Sequence, residues 1–188
     1  TNFQCSGIGE FGATGADLVH QITLADGIST YTFAYEPTPG TTTGEVTGRL
    51  ASITLPTGGV IFYTYRSGCN GTGINADGTV GALTRLTTDG SRTYDRTTIN
   101  VHATSTDVKD EANNHSVYTF GIDSATSAFF ETHKQVYQGA VSGGVILDDL
   151  LTCYDGATPS CDGQALVYPF AQIETRESYN NGTQAKIV

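Results

Sequence analysis

Tryptophan and methionine are absent from the 188 residues, and Lys and Arg together number 9 against 19 Asp and Glu. The net charge of −10 and a pI near 4.5 leave no basic stripe for nucleic-acid phosphates and no cationic patch for an anionic membrane surface. Helix-forming Lys, Glu and Leu are scarce, which excludes a helical bundle or coiled coil. The longest apolar run, around Val141 to Leu151, is broken by Ser142, Gly143, Gly144, Asp148 and Asp149, so no helical membrane span is expected. The chain opens Thr-Asn-Phe-Gln, without an initiator Met or a signal peptide, and reads as a piece of a longer polypeptide.

What the chain does contain is Thr, Ser, Asn and 23 Gly, with 10 Tyr and 8 Phe spread along its length. This mixture suits strands and turns, and its recurring aromatic and β-branched residues argue against disorder. This length suits one ordinary domain, or two small ones, and is enough for a sizeable core. Cys153 and Cys161 bracket a short turn-rich segment that a disulfide would close, and Cys5 with Cys69 would form a second, longer-range bridge. Four cysteines allow several pairings and spacing does not choose among them. Two bridges imply an oxidising compartment outside the cytoplasm.

Internal repetition is the strongest signal. His20-Gln21-Ile22-Thr23-Leu24-Ala25-Asp26-Gly27 leads into Thr30-Tyr31-Thr32-Phe33-Ala34-Tyr35. Ala51-Ser52-Ile53-Thr54-Leu55-Pro56-Thr57-Gly58-Gly59 leads into Val60-Ile61-Phe62-Tyr63-Thr64-Tyr65. Ile22 and Ile53, Leu24 and Leu55, and Gly27 and Gly58 are each 31 positions apart, with one residue of slippage after the glycine. Weaker echoes begin at Thr84, Thr104, Thr132 and Ile173. Each unit reads as a β-hairpin whose returning strand carries aromatics at alternate positions, on one face. Tyr31, Phe33 and Tyr35, like Ile61, Tyr63 and Tyr65, are expected to pack as core; an exposed row would instead stack a ligand. The expected organisation is an irregular N-terminal segment, 1–16, followed by one repeat-built β domain, 17–188.

Gly48-Arg49-Leu50-Ala51-Ser52-Ile53-Thr54-Leu55-Pro56-Thr57-Gly58, ending in Tyr63-Thr64-Tyr65, resembles an Rhs/YD repeat. Thr106-Asp107-Val108-Lys109-Asp110, Asn113-Asn114 and Tyr118-Thr119-Phe120 resemble a variant of the same unit, and Gln135-Val136-Tyr137 the strand that follows it. The resemblance covers residues 17 to 180. It implies an all-β fold of successive antiparallel hairpins in a curved or spiralling sheet, as in bacterial shells and cell-surface polypeptides. The aspartate-rich self-cleavage motif and toxin part of that family are not recognisable. Such a strip has open edges, to be paired by neighbouring repeats of a longer parent chain or by other copies of itself.

No catalytic constellation is evident. His20, His102, His115 and His133 lack metal-ligand spacing, and His20, on the face of Ile22 and Leu24, is expected to be a packed core residue. Asp148-Asp149 and Asp110-Glu111 are neighbours that point to opposite faces of a strand, and Asp26, Asp77 and Asp89 suit turns. No cofactor is expected; Asn75 and Asp77 are the weak candidates for Ca²⁺, without the terminal Glu of an EF-hand loop. Asn70, Asn114 and Asn181 stand in N-x-[ST] sequons. The expectation is therefore a non-catalytic structural or interaction protein, extracellular or at a bacterial cell surface. A carbohydrate-binding β-sandwich module, with Tyr31, Phe33, Tyr35, Tyr63 and Tyr65 facing a glycan, or a glycoside hydrolase, is the alternative.

Overall fold

In the computed structural model, residues 1–155, 161 and 163–179 are described, together with the backbone of 182–184. The chain is all-β. Its strands are β1 (Gln21–Thr23), β2 (Thr30–Pro37), β3 (Val46–Thr54), β4 (Val60–Arg66), β5 (Ala82–Thr87), β6 (Gly90–Asn100), β7 (Ala103–Lys109), β8 (His115–Ile122), β9 (Phe129–Gln138), β10 (Val145–Tyr154), β11 (Ile173–Tyr179) and β12 (Gly182–Gln184). One 3₁₀ turn, Cys69–Gly71, interrupts them. No helix among the described residues is long and apolar enough to cross a membrane.

The chain forms two compact units, Thr1–Thr93 and Tyr94–Val188, with the division inside β6. In the first, β1 to β5 pair antiparallel in chain order; in the second, β7 to β12 do the same. Short hairpins produce this order because each alternating strand finds its partner a few residues away. Among the described residues, the strands follow one another in chain order in one sheet.

The hairpin turns repeat one construction. Leu55 N–H donates to Gly59 O and Gly58 N–H to Leu55 O; Asn75 with Thr79 and Gly78, and Asp110 with Asn114 and Asn113, make the same two bonds. The residue before the closing partner is left-handed in each, with φ of 86° at Gly58, 83° at Gly78 and 61° at Asn113. In the β1–β2 turn Leu24 bonds Ser29, one residue further on, which is the slippage visible in the repeat.

Register puts Phe33 opposite Ile53 and Ile53 opposite Ile61, so Tyr31, Phe33, Tyr35, Ile61, Tyr63 and Tyr65 do share one face. That face is half-buried, neither sealed nor laid open. A single layer buries its side chains only against their neighbours. Few residues are therefore fully buried, and Phe62, Leu86, Ile22 and Leu24 remain well exposed. His20 is exposed as well, a correction to its expected place in a core, because nothing covers the β1 face on which it stands.

Candidate functional site

Each unit carries an irregular segment fastened over its sheet by a disulfide. The pairing left open by the sequence is Cys5–Cys69 and Cys153–Cys161, and no cysteine is free. Most of the turn segment between Cys153 and Cys161 lies outside the described residues.

In the first unit the fastening centres on Arg49. The irregularity between Tyr35 and Pro37, where β3 carries extra residues, turns the Arg49 side chain towards Glu36. Its Nε donates to Glu36 Oε2 at 2.7 Å and its Nη2 to Glu36 Oε1 at 2.8 Å, a two-pronged pair that only a guanidinium can make. Nη2 also donates to Thr72 O at 2.8 Å, and the Thr47 hydroxyl donates to Glu36 Oε2. The guanidinium carbon lies 4.1 Å from the Tyr65 ring centre and 4.7 Å from that of Phe3, close enough for cation–π attraction to both. Burial pushes the Tyr65 phenol above its ordinary pKa, opposed by the Arg49 charge.

The N-terminal segment, which the sequence could not place, is thereby located. Phe3 and Cys5 are buried; Asn70 Nδ2 donates to Gln4 O at 2.7 Å, and Asn2 Nδ2 to Pro39 O at 3.0 Å. The glycine-rich excursion after β4 folds back so tightly that a Cβ on Gly73 would stand 2.5 Å from that of Tyr65. Of the five aromatics considered as ligand-facing, Tyr65 belongs to this clasp, and the Tyr35 hydroxyl donates to Val19 O. Tyr31, Phe33 and Tyr63 are half-buried in the stripe.

In the second unit, residues 163–172 cross the sheet. Leu166 is buried against Gly121, where a Cβ would lie 2.6 Å from a Leu166 methyl. Two carboxylates pin this segment. Asp123, fully buried, accepts from Tyr168 N–H at 3.2 Å and from the Thr126 N–H and hydroxyl. Asp155 accepts from the N–H groups of Ala171 and Gln172. The Thr126 hydroxyl bond, against opposition from burial, holds the Asp123 carboxyl below its usual pKa range. Phe130, Tyr154, Tyr168 and Phe170 then form one aromatic cluster, with centroid separations from 4.5 to 6.3 Å. Tyr168 is its exposed member, at 60%. The cluster was not foreseen; Tyr168-Pro169-Phe170 downstream of Cys161 was the available signal.

A line of polar groups crosses β7 to β10 on one face. His115 Nδ1 meets Asp107 at 2.8 Å, His133 Nε2 meets Asp149 at 2.8 Å, Gln135 Nε2 donates to Asp149 at 3.0 Å, and the Tyr137 hydroxyl to Gln135 Oε1. Burial, then the charges of Asp149 and Asp107, push the Tyr137 phenol up. Asp148 turns to the other face and meets Lys134 at 3.2 Å, as expected for adjacent strand residues. The two His–Asp contacts each join neighbouring strands, β8 to β7 and β9 to β10.

The remaining candidates are engaged in folding. Asp77 accepts from the Thr79 N–H and hydroxyl, and Asn75 Nδ2 donates to the Thr79 hydroxyl. Asp26 caps its turn through Ile28, Ser29 and the Ser29 hydroxyl, which holds its carboxyl low. Two of the sequon asparagines are occupied: Asn70 as above, and Asn114 with Asp110 and the Gly139 N–H. Asn181 lies outside the described residues.

Comparison of the chain with family models, curated proteins and solved structures gives no match.

Proposed function

We propose that this chain is a non-catalytic structural and interaction module: an Rhs/YD-like β-strip belonging to an extracellular or bacterial cell-surface shell or assembly. One observation carries the reading. Each unit is a single antiparallel layer whose large apolar side chains stay partly exposed, a surface and an open edge that further chain or further copies would cover. The β1 edge illustrates the need. His20 bonds Phe33 and Leu24 bonds Ser29, so by the antiparallel alternation Gln21 and Thr23 direct their N–H and C=O groups away from β2. The two disulfides fit an oxidising, non-cytoplasmic setting.

Light scattering over a concentration series tests this. Growth into regular higher-mass species, reduced by Thr23→Pro at the β1 edge, is expected. A discrete monomer at every concentration would overturn self-association and leave a parent chain as the only partner.

The carbohydrate-binding alternative finds an exposed ring at Tyr168, in the second unit. Affinity electrophoresis against polysaccharides, with Tyr168→Ala as the control, decides it: ring-dependent retardation would favour glycan binding over the strip.

A further inference from the structure

We propose that the groove around Arg49, Tyr65 and Asn70 is an exchangeable docking site, and that besides its own Asn2–Cys5 segment it accepts that segment from a second copy of this chain.

The groove holds its occupant as a peptide site would. The Asn70 amide donates to the main-chain carbonyl of Gln4 at 2.7 Å and lies 3.4 Å from that of Phe3. Phe3, only 6% exposed, sits beneath the Arg49 guanidinium, and Asn2 reaches Pro39 O. Cys5 closes the contact through Cys69. All of these contacts lie within four consecutive residues, on one side of a connection that is bound loosely.

That connection is residues 12–18, between Phe11, which exchanges hydrogen bonds with Thr1, and Val19 and His20, whose carbonyls accept from the Tyr35 hydroxyl and the Phe33 N–H. It is exposed throughout and forms neither strand nor helix. A Cβ added at Gly12 or Gly15 would meet nothing within 4 Å, and Phe11 is 74% exposed. A cavity of about 500 Å³ separates residues 11–16 and Leu18 from the start of β3. Seven residues of extended chain span up to about 25 Å, enough to carry the segment to an abutting molecule. A tightly held segment on a weakly packed connection is the arrangement that permits exchange between identical chains. At low concentration the tethered segment wins, because its effective concentration is on the order of millimolar. Abutting copies reach that range. The proposal does not rest on pairing at the β1 edge, and Thr23→Pro in both chains leaves it unchanged.

The test mixes two variants, Cys5→Ser, which keeps Cys69, and Cys69→Ser, which keeps Cys5. They are combined in equal, high-micromolar amounts in a glutathione redox buffer and read by non-reducing electrophoresis and intact mass. A disulfide-linked heterodimer is expected in severalfold excess over either homodimer, and Phe3→Ala in the chain that keeps Cys5 should remove that excess. Random thiol pairing would give homodimers as readily and ignore Phe3→Ala, and the absence of any dimer would show that the groove is filled only from its own chain. Either result overturns the proposal. Should a serine variant fail to fold, unlabelled and ¹⁵N-labelled wild-type chains are reduced, oxidatively refolded together and digested. Cys5–Cys69 peptide pairs of mixed isotope content are then expected, and pure pairs alone would overturn exchange.

Discussion

The two units solve the same problem with different chemistry. Each lays an irregular segment over one layer of strands and staples it with a disulfide. The first does so around a cation, with Arg49 between a carboxylate and two rings; the second does so around Leu166 and four packed aromatic rings. A charged clasp needs every partner in place, since removing one strands a half-buried charge. An apolar clasp degrades with the volume removed. A thin β layer can therefore be stabilised by either device, and the two should fail differently.

The largest expected contrast lies in the staples. Cys5–Cys69 spans 64 residues and Cys153–Cys161 spans 8. Loop-closure entropy assigns them about 4 and about 2.5 kcal/mol. Replacing the first pair by serine should cost more stability in urea than replacing the second. Equal losses would mean that native contacts, not loop size, set the values.

Next come the centres of the clasps. Arg49→Ala should cost about 3 kcal/mol and Arg49→Lys about 1–2, because lysine cannot repeat the two-pronged bond to Glu36. Leu166→Ala should cost about 2–4 kcal/mol and leave the first unit's amide exchange untouched. Exchange rising in both units after either change would show that they do not respond separately.

Acid should separate them as well. The folded Asp123 carboxyl titrates below its unfolded value of about 3.9, so its contribution is complete above that pH and disappears as pH falls through the folded value. Amide exchange around Tyr168 should quicken below about pH 4, with that step missing in Asp123→Asn. A step of the same size in the variant would assign the effect to another carboxylate. The smallest effect is expected at Arg176, an exposed guanidinium paired with the buried Glu174 carboxylate: Arg176→Ala should cost about 1 kcal/mol in urea, by leaving that carboxylate without its cation.

Much of this was legible beforehand where the information is local. Alternation and turn residues located the β2, β4, β7 and β8 strands, and the Leu24/Leu55 slippage reappears as a one-residue difference in turn closure. Arg49 stood in the Gly-Arg-Leu of the repeat, yet its partners Glu36, Thr72 and Phe3 are 13, 23 and 46 positions away, and periodicity carries no such distance. His20 was misplaced for the same reason: alternation says which residues share a face, and is silent on whether anything covers it.

The sequence by itself determined the strands, their order and the faces their side chains share, because hairpin pairing depends on neighbours and on a period of two. Only the tertiary structure decided the cysteine pairing, the seat of the N-terminal segment, the crossing of residues 163–172 and the exposure of each face. Those depend on which distant groups come to lie over the sheet, a matter of closure and packing between remote parts of the chain.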